Sequence, residues 1–176
     1  MVYLPHRALF IHIPRTGGNS VTNAIAASCA GNNVDVVIGT SAELGVWGPL
    51  HRHATAASLQ PLIHEWDRIF KFAVYRPEED RLSSLQRLLE RDTASRVFDE
   101  PTCSDEWRNV LTSCGPLREE YINNFVQQDW AYYTKGEQGE DLGVYQYGFD
   151  SLEDHWDEIC DRCMIPRCCL PRLNTT

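Results

Sequence analysis

The chain has 176 residues, 43% of them hydrophobic and 23% charged, and a formal net charge of −9. That length and apolar content suit one globular domain with a central sheet and covering helices. The acidic balance argues against a broad nucleic-acid surface, which needs clustered Lys and Arg, and any cationic site must be local.

Residues 8–20 read A-L-F-I-H-I-P-R-T-G-G-N-S. The apolar run predicts a buried strand over 8–13, stopped by Pro14, and the periodic run after it predicts a helix over 19–28. Between them, Gly17 and Gly18 let the backbone approach an anion. The first free N–H groups of the helix would converge on the same oxygens as Arg15, Thr16 and Ser20. This is a phosphate-binding pattern, although a plain tight strand-to-helix turn also accounts for a Gly-Gly pair. The triphosphate P-loop does not fit: it needs a Gly five positions before Gly18 and a Lys directly after it, where this chain has Ile13 and Asn19.

Further along, a strand is expected over 34–39 and a helix over 54–65, the latter preceded by His51 and His53. A second strand-like run, 69–75, is interrupted by Lys71 and followed by R-P-E-E-D-R-L-S-S, opening a helix over 78–91. Arg76 offers a planar fork to phosphate oxygens, and Ser84 a hydroxyl about two turns into the helix. Equally, a Pro at the first helical position with acidic residues after it describes an ordinary helix start. Residues 92–116 read as a variable insertion with a short helix around 106–111, of the kind that shapes an acceptor pocket. A helix over 117–132, a strand over 143–147 and a helix over 152–163 complete the map.

Strands alternating with helices predict an α/β fold, a mostly parallel sheet with helices on both faces and ligand loops at the carboxyl ends of its strands. No repeat or linker suggests a division, so residues 1–176 are expected to form a single domain. No twenty-residue apolar span or signal-like segment is present, and a soluble, cytoplasmic protein without stable membrane insertion is expected. Seven cysteines in such a chain read as thiols. Cys160 and Cys163, near Cys168 and Cys169, suggest zinc only weakly, because both fall on one expected helix. Cys103 and Cys114 could bridge in an oxidising compartment. Trp47, Trp107, Trp130, Tyr132 and Tyr133 fit core packing or an acceptor surface.

Taken together, these segments resemble sulfotransferases that use 3′-phosphoadenosine 5′-phosphosulfate, in particular small carbohydrate-sulfotransferase-like proteins. Residues 12–20 resemble their 5′-phosphosulfate loop, H-I-P-K-T-G-G-T-S. Arg76, Arg81 and Ser84 fall in the register of their R-x-P-x-x-R-x-x-S pattern, whose first Arg and final Ser hold the 3′-phosphate. His53-Ala54-Thr55 is similar to their H-A-T segment, Tyr147 to Leu152 to a late strand and helix, and Leu170 to Asn174 to a closing L-P-x-x-N. The pieces occur in the family's order across nearly the whole chain.

The resemblance implies a P-loop-like three-layer sandwich with a mostly parallel central sheet flanked by helices. It implies transfer of a sulfonate group from 3′-phosphoadenosine 5′-phosphosulfate to a hydroxyl of a sugar or small metabolite, without a metal, leaving 3′-phosphoadenosine 5′-phosphate. Arg15, Thr16, Gly17, Gly18, Asn19, Ser20, Arg76, Arg81 and Ser84 would bind the nucleotide, and Arg15 would also stabilise the leaving group. His53, or else His51, would be the base, with Glu43, Glu78 and Asp80 as fallback carboxylates and His12 left to packing or support. A tail through Arg172 and Asn174 would cover the nucleotide. Two departures stand out: Arg15 replaces the family's Lys, and Pro77 comes one place early. A non-catalytic nucleotide-binding relative of the same fold is the alternative, followed by an atypical P-loop phosphotransferase that would prefer ATP and magnesium.

Overall fold

The computed structural model describes residues 1–39, 51–113 and 115–171. In chain order the elements are β1 (Val2–Leu4), β2 (Ala8–Ile11), α1 (Gly18–Ala30), β3 (Val37–Ile38), α2 (Ala56–Leu59) and β4 (Phe70–Tyr75). There follow α3 (Glu78–Ala94), α4 (Asp105–Thr112), α5 (Pro116–Gln127), α6 (Trp130–Thr134), β5 (Tyr145–Gly148) and α7 (Trp156–Arg162). They fall into two compact units, one of residues 1–76 with 130–176 and the other of residues 77–129. The second takes in all of the insertion expected at 92–116 together with the helices on either side of it.

The first unit holds a five-stranded open sheet in the order β3-β1-β2-β4-β5. It is mixed, which corrects the expectation of a mostly parallel sheet. β2, β4 and β5 run parallel, whereas β1 pairs antiparallel with both β2 and β3. The cause is a hairpin: the chain reverses after Leu4, with Arg7 N–H donating to the Leu4 carbonyl at 3.0 Å and His6 at φ 61°. Three residues of β1 are too few for a periodic signal, so sequence reading does not anticipate that strand.

Alternation along the strands gives the sheet two apolar faces. Phe10, Phe72, Val74 and Tyr147 pack with Val21, Ala24, Ile25 and Cys29 of α1 and with Trp156, Ile159 and Cys160 of α7. The α1 positions recur at helical spacing, which explains why this segment folds as a helix against the sheet. Leu9, Ile11 and Ala73 pack on the opposite side with Ala56 and Leu59 of α2 and Tyr133 of α6. Lys71, buried within β4, donates to the carbonyls of Trp66 at 2.6 Å and Ile69 at 3.3 Å, and burial lowers its pKa.

After α7 the chain turns at Met164, φ 52°, and runs back against the core. Ser28 Oγ donates to the Pro166 carbonyl at 2.9 Å, and Trp156 Nε1 donates to that of Cys168 at 2.7 Å. Cys29, Cys160 and Cys163 are fully buried beneath this segment.

The second unit is helical. α3, α4 and α5 enclose Leu85, Leu89, Val110, Leu111 and Phe125. Ser104 caps α4 by accepting from Trp107 N–H at 3.2 Å, and Trp107 Nε1 donates to Asp92 at 3.2 Å.

Several expected elements change length for local reasons. The helix expected over 54–65 is α2 followed by a 3₁₀ turn at Gln60–Leu62, since Pro61 has no N–H to continue an α ladder. The helix expected over 117–132 breaks at Gln128, ψ 68°, and α6 resumes at Trp130. α7 begins only at Trp156, and the strand expected over 34–39 is reduced to β3. No described helix is long and apolar enough to cross a membrane.

Candidate anion site at the carboxyl end of the sheet

Register brings the relevant residues together. Ile11 pairs with Ala73 and Tyr75 with Gly148, so the segments leaving β2, β4 and β5 emerge at one end of the sheet. The segment after β2 is the turn from His12 to Gly17. Arg15 has φ 65° and Gly17 has φ 82°, two left-handed positions separated by Thr16. Where left-handed residues alternate with right-handed ones, successive N–H groups converge on one point and suit an anion. Gly17 is the N-cap of α1 and brings no side-chain cap, and the first turn of α1 contains no acidic residue. The positive end of this thirteen-residue helix favours an anion, and among the described residues no side chain caps it.

Gly18 is needed for space. A Cβ there would lie 2.0 Å from Cδ2 and 2.2 Å from Nε2 of His12. Thr16 is fully buried, and its hydroxyl donates to the Ile13 carbonyl at 2.9 Å, so this side chain braces the turn. Ser20 is also buried, while Asn19 is partly exposed on the first turn of the helix.

Arg76 follows β4 directly. Its guanidinium lies 4.5 Å from the centroid of the Phe149 ring and donates to the Arg15 carbonyl at 3.4 Å. Phe149 follows β5 and lies against Gly17. Arg15, Gly17, Arg76 and Phe149 thus form one contact set within the first unit. Sequence reading singles out three of them as site residues; Phe149 falls within the segment Tyr147 to Leu152 that resembles a late strand and helix, with no site role expected of it.

Arg81 and Ser84 belong to the second unit and are buried on α3. Arg81 makes a two-pronged contact with Glu78 at 2.6 and 2.7 Å, donates to the Gln128 carbonyl at 3.1 Å and stacks 4.6 Å from the Phe125 ring. These contacts brace α3 within its own unit.

The histidines form a second cluster beside the turn. His53 lies 4.8 Å from His12 and 5.7 Å from His51, ring centroid to centroid. His53 Nδ1 is 2.8 Å from the His12 carbonyl, so in the neutral ring Nδ1 carries the proton and Nε2 the lone pair. His53 N–H donates to His51 Nδ1 at 3.0 Å. Burial pushes the His53 imidazole down to about 4, against the opposing effect of that carbonyl. Burial likewise holds His12 well below the ordinary histidine range, and its buried Nδ1 has no hydrogen-bond partner among the described residues. Thr55, the last residue of the H-A-T segment, is the N-cap of α2, accepting from Ser58 N–H at 3.2 Å.

The other candidate residues scatter. Glu78 holds Arg81, and Asp80 is exposed on the first turn of α3. Trp107 packs half-buried against the core of the second unit, Trp130 and Tyr133 pack against a sheet face, and Tyr132 is exposed. Glu43, Trp47, Cys114, Arg172 and Asn174 lie outside the described residues. Among the described residues no group of three or more His, Cys, Asp or Glu could hold a metal ion. No family model matches the chain, and neither a curated protein nor a solved structure matches it.

Proposed function

We propose that the chain is a sulfotransferase of P-loop-like three-layer architecture that binds 3′-phosphoadenosine 5′-phosphosulfate and transfers its sulfonate group to an acceptor hydroxyl. The observation that carries this reading is the association of the uncapped, acid-free start of α1 with Arg15 and with Arg76 from the neighbouring parallel strand. A nucleotide with separate 5′ and 3′ anionic groups suits a helix end and a nearby Arg better than a single phosphate does. Arg81 and Ser84 enter the proposal through the sequence pattern alone.

The donor supplies an activated sulfonate, and the protein's part is positioning and charge stabilisation. N–H groups of the turn and of the start of α1 hold the 5′-phosphate, and Arg15 balances charge that develops on the departing nucleotide. Arg76 holds the 3′-phosphate. His53 accepts the acceptor's proton at Nε2, because Nδ1 is committed to the His12 carbonyl. The acceptor is a small molecule or a carbohydrate.

A base is most effective with a pKa near the working pH, and the lowered basicity of His53 favours a second reading: nucleotide binding by the same fold without transfer. Thermal-shift titration tests both. 3′-Phosphoadenosine 5′-phosphate should stabilise the protein, adenosine 5′-monophosphate should do so much less, and Arg76→Ala should abolish the difference. A larger shift with ATP and magnesium, or none with the bisphosphate, would overturn the proposal. Binding without turnover across a broad acceptor panel would favour the second reading.

A further inference from the structure

We propose that Phe149 is a positioning residue that holds Arg76 against the glycine turn and makes the two anion-binding elements act as one; the inference rests on the nucleotide reading above. Phe149 is fixed at both ends of its contact. Its N–H donates to the Tyr75 carbonyl at 2.8 Å, tying it to the residue before Arg76. A Cβ on Gly17 would fall 2.8 Å from its Cε2 and 3.1 Å from its Cδ2, so the ring edge fills the place of a side chain on the turn. The ring face carries the Arg76 guanidinium, which reaches on to the Arg15 carbonyl and closes the circuit of contacts.

The two arginines of the sequence pattern show why an aromatic partner matters. Arg81 is held by the Glu78 carboxylate, which neutralises it. Among the described residues Arg76 is held by a ring and a carbonyl, both uncharged. Stacking orders the long side chain before a ligand arrives and leaves its full positive charge for that ligand. With Arg76 over a face of the ring and Gly17 at its edge, Phe149 serves as the support of a cation. The ligand class that benefits carries two anionic groups, one at the start of α1 and one at Arg76.

A double-mutant cycle read by calorimetry tests this, using 3′-phosphoadenosine 5′-phosphate and adenosine 5′-monophosphate as probes. Phe149→Leu keeps apolar bulk and should weaken the bisphosphate about tenfold while changing the monophosphate less than threefold. Arg76→Ala should do the same, and the double variant should be little worse than either. Equal loss for both nucleotides, full additivity or an unaffected Phe149→Leu variant would overturn the positioning role.

If the wild-type protein binds neither nucleotide, the nucleotide reading fails by itself, and the contact is tested without ligand. The Arg76 Nε–H resonance should be displaced upfield by the ring in ¹⁵N-labelled protein and should return towards its free position in Phe149→Leu. A resonance indifferent to that change would overturn the positioning proposal.

Discussion

Helices α1 and α3 both follow parallel strands at the middle of the sheet, and both come just after an arginine, yet their first turns are opposite in charge. α1 starts at a left-handed glycine with no side-chain cap and no acid; α3 starts at Pro77 with Glu78, Glu79 and Asp80 in its first turn. The carboxylates of α3 already complement the positive end of its dipole, while among the described residues α1 has no acid in its first turn and no side-chain cap. Strand-then-helix topology alone therefore does not make a binding site. The residues of the first turn decide which helix end is open.

The most disruptive way to break this contrast is to give Gly18 a side chain. Gly18→Ala drives a methyl group into the His12 ring and should cost about 3 kcal/mol in denaturant unfolding. His12→Ala in the same chain should recover part of the loss, and the absence of any recovery would show that the clash lies elsewhere.

The next effect comes from acid. His53 has a folded pKa of about 4, below its ordinary value of 6.5, so the unfolded chain binds its proton first as pH falls. This contribution to stability is complete above pH 6.5 and is lost between 6.5 and 4, by about 2 kcal/mol after allowing for the ring's partial exposure. His12 acts in the same direction. Unfolding free energies measured from pH 4 to 7.5 should show this slope, and it should flatten in His53→Phe.

A subtler change makes α1 resemble α3. Asn19→Asp places a carboxylate on its open first turn, which should stabilise the unliganded protein by about 0.5 kcal/mol and weaken nucleotide binding about tenfold. Unchanged binding would move the anion away from the start of α1. The converse change, Glu79→Gln, should be the smallest: a loss of about 0.5 kcal/mol in stability with no effect on the nucleotide.

Much of the first unit can be read from the chain. The apolar run before Pro14, the glycines after Arg15 and the helical spacing of Val21, Ala24, Ile25 and Cys29 each act locally, so β2, the turn and α1 emerge from the sequence. Features made by distant residues do not. β1 is fixed by pairing on both sides, Phe149 acquires its role only where β5 ends beside β4, and the motif spacing of Arg81 says nothing of Glu78 and Gln128 closing around it. The H-A-T segment shows the same limit, since its threonine is accounted for by capping α2.

The three sulfurs sealed beneath the returning carboxyl-terminal segment make the fold its own gauge of opening. Cys29, Cys160 and Cys163 are inaccessible in the native state, and burial pushes all three thiols up, away from the reactive thiolate. Exposed Cys169 should be alkylated at once, whereas these three should react only as fast as the segment lifts or the domain unfolds. Counting modified sulfurs over time by mass spectrometry would then report the rate of that opening without any engineered label.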